Sequence, residues 1–303
     1  PAGSPEVSAY LANHDTVHGR APVVTRVDGN DLVVAGQRVS YSQSRDIDPA
    51  DWSGCDIVLE CSGKYRTAER LEPFFAAGVR SVIVAAPVKQ GALNVVMGVN
   101  DHRYNPSDDR IVTAASCTTN ALAPIAAVIN RGLGITHGMI TTLHCMTNSQ
   151  SVVDKPASDI RRTRSASHNL IPTTTGSAST IGMILPELNG KLDGLAIRVP
   201  QLGASVLDCV FEVARPTTVA EVNALLTAAA DSDRLRGILA VETAPLVSSD
   251  YRSDPHSAIV DAQSTMVTAG TQVKIIAWYD NEMGYSHRMH ALTAMVAAAI
   301  GPR

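Results

Sequence analysis

The sequence predicts an α/β protein in which a parallel sheet with helices on both faces precedes an α+β region built on a mixed or antiparallel sheet. Residues 53–113 alternate short β-branched runs with helix-like runs, a pattern typical of parallel sheets. Beyond residue 137 the strand-like runs alternate apolar and polar residues more clearly, which is typical of sheets covered on one face. With 303 residues, 45% of them hydrophobic, the chain is long enough for two domains.

The first sheet is predicted from four strand-like runs and one helix-like run. Its strands are expected within residues 55–63, 79–87, 92–100 and 109–116. A helix is expected over 67–78, where Gly78 closes it. Parallel sheets bind ligands at the carboxyl ends of their strands, so we expect a binding edge at Ser62-Gly63, Ala86-Pro87 and Ser116-Cys117.

The second sheet is predicted from four longer runs, at 137–147, 194–201, 205–214 and 271–280, with helices over 218–230 and 286–300. Within this region, residues 148–180 form a polar stretch rich in Ser, Thr and Arg. A loop of this length inside a compact domain is usually functional or disordered.

Composition argues against several classes of protein. The net charge is −4 without a long basic stretch, which argues against nucleic-acid binding. No apolar run reaches the ~18 residues that a membrane helix needs. The five cysteines have neither C-x-x-C spacing nor the density of a disulfide scaffold, which favours a reducing, cytoplasmic setting. The densest basic cluster, residues 161–164, is either a solvated face or an anion site.

Cys117 is the first candidate for chemistry. It lies in the segment AASCTTNALAP (114–124), between a strand-like run and a helix-like run. The polar residues that follow it are good helix caps, which puts the thiol at the positive end of a helix, where thiol pKa values fall. A buried structural thiol is the alternative, and the local sequence leaves both open.

His144 is the candidate base. A nucleophilic thiol needs one, and His144 ends the apolar run GMITTLH just before a polar loop. Thr147, the segment PTTTGSAS (172–179) and Arg198 offer donors for a phosphate, because a buried arginine is costly without an anionic partner. Each has a plainer alternative: a structural histidine, ordinary Ser/Thr loops, and an Arg198–Asp208 ion pair.

With these residues assembled, the chain resembles the phosphorylating glyceraldehyde-3-phosphate dehydrogenases. ASCTTN (115–120) is similar to the active-site signature of that family. The resemblance continues in order, at family spacing, through CDIVLECSGKYRT, VVMGVN, TTLHCMT, DIRRTRSASHNLIPTTTGSA, LPELNGKLDGLAIRVP and WYDNEMGYSHRM. It covers nearly the whole chain and is highly specific.

The resemblance implies a role for each of these positions. Cys117 attacks the aldehyde, His144 acts as general base, hydride passes to a nicotinamide, and inorganic phosphate cleaves the resulting thioester. Thr147 and Arg198 hold the phosphate of glyceraldehyde 3-phosphate. The site of the attacking phosphate is formed by Ser116, Thr118, Thr175 and Gly176, with assistance from Arg162. The cofactor site is formed by Ser62, Gly63, Asn281 and Tyr285.

The resemblance also implies the architecture and the cofactor. It divides the chain into a Rossmann-type NAD-binding domain (1–116), a catalytic domain (117–285) and a C-terminal helix (286–303) that packs back on the first domain. The stretch 148–180 is the family's loop at the interface of a homotetramer. NAD is the expected cofactor, since Pro156 favours it, and NADP stays open because Lys155 could attract a 2′-phosphate.

Some positions depart from the family pattern. The Gly-x-Gly-x-x-Gly turn of the first βαβ unit is absent, so we expect about 30 residues to precede Pro1 in an incomplete record. Ala121 replaces the usual second cysteine, and Ala85, Ala114 and Met283 stand where Ser, Asn and Trp are common. These changes suggest a divergent paralogue.

Several functions therefore stay open on this scaffold. Glycolytic oxidation is the default, and an arsenate-using paralogue that makes 1-arseno-3-phosphoglycerate shares its geometry. An erythrose-4-phosphate dehydrogenase is disfavoured by the intact TTTG segment (173–176). Outside this class, a non-catalytic binding paralogue is disfavoured by the full set Cys117, His144, Thr147 and Arg198, and a cysteine hydrolase by the YDNEMGY segment.

Overall fold

The computed structural model describes residues 3–47 and 51–302, without the side chain of Ser179. Pro1, Ala2 and Arg303, at the ends of the predicted first and last segments, lie outside the described residues. The described helices are Pro5–Asn13 (α1), Ala68–Ala76 (α2), Cys117–Leu133 (α3), Ser177–Ile184 (α4), Val219–Ala230 (α5) and Met283–Ile300 (α6).

The strands of the first half are His14–Asp15 (β1), Gly19–Arg20 (β2), Thr25–Asp28 (β3), Asp31–Val34 (β4), Gln37–Val39 (β5), Ile57–Glu60 (β6), Ser81–Val84 (β7), Leu93–Asn94 (β8) and Ile111–Thr113 (β9). Those of the second half are Ile135–His144 (β10), Ile171–Thr174 (β11), Leu192–Arg198 (β12), Ser205–Val213 (β13), Leu239–Glu242 (β14), Ala258–Asp261 (β15), Met266–Thr268 (β16) and Gln272–Tyr279 (β17).

The predicted parallel sheet is confirmed. Its strands run in the order β6-β7-β9-β8, and every pair is parallel. Helix α2 covers one face through Leu71 and Phe74. Helix α6 covers the other face, where Leu292 and Val296 pack in one cluster with apolar residues of β7, β8 and β9. The division of the chain into three segments stays a prediction.

The strand expected over 92–100 is shorter than predicted, because it ends at Asn94. The side chain of Asn100 explains this difference. Its amide oxygen accepts the N–H of Val96 at 2.7 Å and its amide nitrogen donates to the carbonyl of Asn94 at 2.9 Å. These bonds turn the chain away from the sheet immediately after β8.

The second sheet is mixed, as predicted. Its main path is β11-β12-β10-β13-β17-β15-β14, and β16 pairs with β17. The pairs β10–β12 and β14–β15 are parallel and the others are antiparallel. Along β13 every second residue is buried, which puts one face of the strand in the core shared with α3 and α5.

Part of the polar stretch 148–180 is not a loop. Residues 171–174 form β11, which pairs antiparallel with β12, and Ser177 begins α4. The alternation of buried and exposed residues along β11 gives it a core-facing side in spite of its polar composition. Three antiparallel strands, β3-β4-β5, also form without having been predicted from the sequence.

Candidate active site

Cys117 is the first residue of α3, directly after the helix cap. Ser116 is that cap, and its hydroxyl accepts the N–H of Thr119 at 3.1 Å. Between β9 and the cap, Ala115 has φ +52, a left-handed conformation that only glycine adopts without strain. The Thr113 hydroxyl accepts the N–H of Ala115 at 3.0 Å and supports this turn. The strand-to-helix turn thus puts the thiol at the positive end of a helix.

His144 is the last residue of β10 and lies beside the thiol. Its Nε2 is 3.4 Å from the sulfur of Cys117. In the parallel pair β10–β12, His144 is opposite Arg198, so both side chains leave the sheet at the same edge. The structure therefore brings together the three residues singled out from separate segments of the sequence.

Burial dominates the protonation of the thiol and the imidazole. It raises the pKa of Cys117, against the opposing effects of hydrogen bonds with Thr118 and the charge of Arg198. Burial, followed by the charge of Arg198, lowers the pKa of His144 to about 4. At neutral pH the resting pair is therefore a thiol and a neutral imidazole, because burial outweighs the groups that lower the pKa of the thiol.

Nδ1 of His144 faces two groups that require opposite roles of it. The carbonyl oxygen of Cys145 is 2.8 Å away and needs a donor, whereas Nη1 of Arg198 is 2.7 Å away and needs an acceptor. A neutral imidazole nitrogen can take only one role at a time. When Nδ1 donates to Cys145, Nε2 is left as an acceptor that faces the thiol of Cys117.

Arg198 has no acidic partner among the described residues. Its Nη1 donates to the carbonyl of Cys145 at 3.0 Å, and its buried Nε has no hydrogen-bond partner there. The alternative ion pair with Asp208 does not form, because Asp208 accepts from Nζ of Lys274 at 2.7 Å. A half-buried guanidinium with unused donors fits an anionic ligand.

Hydroxyl groups at the starts of two helices meet beside the nucleophile. Ser177, the first residue of α4, has its Oγ 3.2 Å from Oγ of Ser116. Thr175 donates to the same Ser177 oxygen at 3.0 Å. Nearby, Arg162 donates through Nη2 to the hydroxyl of Thr173 at 2.6 Å. Ser177 lies in the donor segment 172–179 predicted from the sequence, but the sequence did not single it out.

In two of the predicted phosphate ligands the hydroxyl forms a hydrogen bond with another side chain of the protein. Thr118 is buried, and its Oγ1 lies 2.9 Å from the hydroxyl of Tyr279. The Thr147 hydroxyl donates to the side-chain oxygen of Gln150 at 3.1 Å. Their roles as phosphate ligands stay predictions, and Tyr279 joins the site as a residue that sequence reasoning missed.

Asn281 contacts Cys145, the residue that follows His144. Its Oδ1 accepts from the thiol of Cys145 at 2.8 Å and from the hydroxyl of Ser205 at 3.3 Å. Its Nδ2 has no hydrogen-bond partner within residues 3–47 and 51–302. Tyr285 donates its hydroxyl to the carbonyl of Ala115 at 3.3 Å.

Comparison with known families agrees with this geometry. The profile described as "Glyceraldehyde 3-phosphate dehydrogenase, C-terminal domain" matches residues 116–281. The profile described as "Glyceraldehyde 3-phosphate dehydrogenase, NAD binding domain" matches residues 2–68.

The chain belongs to the glyceraldehyde-3-phosphate dehydrogenase family.

Individual relatives cover almost the whole chain. Glyceraldehyde-3-phosphate dehydrogenase 3 of Nostoc sp. is 55% identical over 300 residues, which are 98% of this chain and 89% of the relative. Glyceraldehyde-3-phosphate dehydrogenase of Geobacillus stearothermophilus is 46% identical over 292 residues, 96% of this chain and 87% of the relative. Glyceraldehyde-3-phosphate dehydrogenase of Zymomonas mobilis subsp. mobilis is 43% identical over 303 residues, which are 98% of this chain and 89% of the relative.

The residues predicted to bind the cofactor fit NAD, the cofactor that this family binds. Asn281 offers an amide nitrogen without a partner among the described residues, and this is the donor that a carboxamide oxygen needs. Ser62 and Gly63 follow β6, and Gly63 has φ +71. Their N–H groups donate to the carboxylate of Glu60 at 3.0 and 3.3 Å, so this buried acid shapes the turn. A groove of about 1080 Å³ runs along β6 to Ser62 and does not contain Cys117.

Neither a cluster of potential metal ligands nor a membrane-spanning helix is found in the described part of the chain. Within it, no group of three or more His, Cys, Asp or Glu side chains could hold a metal ion. None of its helices is both long and apolar enough to cross a membrane.

Proposed function

We propose that this protein oxidises glyceraldehyde 3-phosphate in the presence of inorganic phosphate to 1,3-bisphosphoglycerate, with reduction of NAD. The observation that carries the proposal is the 3.4 Å approach of His144 Nε2 to Cys117 Sγ at the start of α3. The relatives named above as glyceraldehyde-3-phosphate dehydrogenases support the choice of substrate.

The reaction begins with proton transfer within the pair. His144, with Nδ1 donating to the Cys145 carbonyl, accepts the thiol proton of Cys117 at Nε2. The thiolate adds to the aldehyde carbon, and the imidazolium returns the proton to the oxygen that becomes negative. The product on Cys117 is a hemithioacetal, and His144 is again neutral.

Oxidation then converts the hemithioacetal into a thioester. When bound, NAD supplies the acceptor for the hydride that leaves the former aldehyde carbon. His144 takes the hydroxyl proton of the hemithioacetal in this step. Asn281, Tyr285, Ser62 and Gly63 would hold the cofactor, and Asn281 would do so through its amide nitrogen.

Two anion sites complete the proposal. Arg198, which has an unpartnered Nε and no acidic partner among the described residues, holds the phosphate of the substrate together with Thr147. The attacking phosphate is held by the residues at the two helix starts, Ser116, Thr118, Thr175 and Gly176, with Arg162 close to them. Positive helix ends and hydroxyl donors favour an anion at this point.

Cleavage of the thioester regenerates the nucleophile. An oxygen of the bound phosphate attacks the acyl carbon, the C–S bond breaks, and Cys117 leaves as a thiolate, which then takes back the proton that His144 holds. The helix terminus and the charge of Arg198 stabilise this anion, since both put positive potential beside the sulfur. Arsenate has the same shape and charge, so we expect it to attack in the same way.

We further propose that the protein acts as a homotetramer in the cytoplasm. The outer face of the mixed sheet exposes Met139 and Leu143 on β10 and Leu195 on β12, and Met139 is 66% exposed. Three large apolar side chains on adjacent strands are typical of a surface that another copy covers. The cysteine usage of the chain favours a reducing compartment.

The test is NADH formation from glyceraldehyde 3-phosphate by the full-length protein, with phosphate, with arsenate and with neither anion. We expect steady NADH formation with either anion and almost none without one. Cys117→Ser is the control and is expected to be inactive. Steady activity that needs no anion, or that persists in Cys117→Ser, would contradict the proposal.

A further inference from the structure

Every polar group of Cys145 contacts a different part of the active site. Its carbonyl oxygen lies 2.8 Å from Nδ1 of His144 and accepts from Arg198 at 3.0 Å. Its N–H donates to the hydroxyl of Ser205 at 3.1 Å. Its thiol donates to Oδ1 of Asn281 at 2.8 Å. Cys145 thus connects His144, Arg198 and the carboxamide of Asn281, which is predicted to bind the cofactor.

The thiol and the Ser205 hydroxyl together orient the Asn281 carboxamide. Both groups donate to the same oxygen, the thiol at 2.8 Å and the hydroxyl at 3.3 Å. The three side chains are buried, with Cys145 and Ser205 each 1% exposed and Asn281 7% exposed. Because Cys145 and Ser205 both donate to the same oxygen, these two groups decide which way the amide faces.

A flipped carboxamide would be poorly satisfied. The amide NH₂ group would then face the sulfur of Cys145, which is a weak acceptor. The Ser205 oxygen already accepts the N–H of Cys145, so one lone pair would remain for the NH₂ group, and the Ser205 hydroxyl proton would lose the Asn281 oxygen as its acceptor. Burial raises the pKa of the Cys145 thiol, so the S–H donor is retained at neutral pH. The observed orientation therefore keeps the Asn281 oxygen paired and its NH₂ group free.

We propose that Cys145 is a positioning residue whose thiol fixes the orientation of the Asn281 carboxamide. In this orientation the NH₂ group of Asn281 faces the carboxamide of bound NAD. This inference rests on the proposed function, because it takes Asn281 as the residue that holds the nicotinamide. Cys145 does not contact the reacting atoms through its thiol; it acts through Asn281.

Cys209 shows what a purely space-filling thiol looks like in this protein. It lies on β13 in the core of the mixed sheet, fully buried, and its thiol makes no hydrogen bond among the described residues. A buried cysteine of this kind behaves as a small apolar side chain. Cys209→Ala is therefore the matched control for Cys145→Ala, since both changes remove one buried thiol.

The test measures NAD affinity by calorimetry in the full-length wild type, Cys145→Ala, Cys145→Ser and Cys209→Ala. Loss of one buried hydrogen bond predicts roughly three- to tenfold weaker NAD binding by Cys145→Ala. Cys145→Ser keeps a donor and is expected within about twofold of the wild type, as is Cys209→Ala. In steady-state assays, KM for NAD should rise while KM for glyceraldehyde 3-phosphate stays unchanged.

A second pair of variants shows whether the effect passes through Asn281. In the Asn281→Ala background, adding Cys145→Ala is expected to change NAD affinity no further. Equal NAD binding by wild type and Cys145→Ala, failure of Cys145→Ser to restore it, or an undiminished loss in the Asn281→Ala background would overturn the proposal. A wild type that binds NAD but forms no NADH contradicts the proposed function instead, and the affinities still decide the role of Cys145.

Discussion

The guanidinium of Arg198 lies against the imidazole of His144, with Nη1 2.7 Å from Nδ1, and not against any acidic side chain of the described residues. This contact ties the expected substrate-binding cation to the expected base. Arg198 lowers the pKa of His144 and also, by its charge, that of Cys117. Substitution of Arg198 should therefore affect both substrate binding and the protonation of the catalytic pair.

Arg198→Leu is expected to raise KM for glyceraldehyde 3-phosphate by about 10- to 100-fold, because a hydrogen bond to a charged group contributes ~1.5–3 kcal/mol. Loss of the cation should also raise the pKa of Cys117, which moves the midpoint of its alkylation by iodoacetamide to higher pH. Arg161→Leu, which removes an exposed arginine, is the control and should change neither quantity. An unchanged KM in Arg198→Leu would contradict the assignment.

His144 should make the folded state sensitive to acid. Burial lowers its pKa from 6.5 to about 4, so above pH 6.5 the imidazole is neutral in both folded and unfolded chains. As the pH falls from 6.5 towards 4, the unfolded chain binds the proton first and the free energy of unfolding decreases. In His144→Asn, which cannot titrate, urea unfolding across this range should show a smaller decrease. Identical pH dependence would mean that His144 is not buried as a neutral ring.

Ser177→Ala should weaken the site of the attacking anion selectively. The hydroxyl is bonded to both Ser116 and Thr175, so its loss leaves these two donors less well oriented. We expect KM for phosphate to rise about three- to tenfold, with KM for NAD unchanged. Thr293→Ala is the matched control, since the Thr293 hydroxyl donates to the Met289 carbonyl within α6. A rise of the same size in both variants would assign Ser177 a purely structural part.

Tyr279→Phe tests the buried hydroxyl network beneath the nucleophile. The Tyr279 hydroxyl lies 2.9 Å from Oγ1 of Thr118 and 2.8 Å from Oγ1 of Thr142. Its removal leaves the buried Thr118 hydroxyl without this partner, which should lower the free energy of unfolding by about 1–3 kcal/mol. Denaturant unfolding measures this change. A variant as stable as the wild type would show that the network contributes little.

Much of the fold could be predicted because the periodicities are local. The parallel strands β6, β7 and β9 have β-branched apolar sequences, and β13 alternates strictly between core and surface. Strand β11 could not be found in this way. Its sequence Ile-Pro-Thr-Thr is polar, and it becomes a strand because it pairs with β12.

The same distinction between local sequence patterns and tertiary contacts decides which residues of the site could be predicted. Cys117, His144 and Arg198 stand out because each ends a recognisable strand or begins a helix. Ser177 and Cys145 gain their importance from contacts with Ser116 and Asn281, 61 and 136 positions away in the chain. Glu60 was taken as part of a strand, although its carboxylate shapes the turn at Ser62. Such contacts depend on tertiary packing, which no local pattern encodes.

The most direct test of the central claim, that Cys117 carries the acyl group, is a single turnover without phosphate or arsenate. NAD and glyceraldehyde 3-phosphate are mixed with the full-length protein, and the digested chain is analysed by mass spectrometry. We predict a burst of about one NADH per chain and a 3-phosphoglyceroyl group on the peptide that contains Cys117. Addition of phosphate should release this acyl group. No burst, or an acyl group on any other residue, would contradict the account.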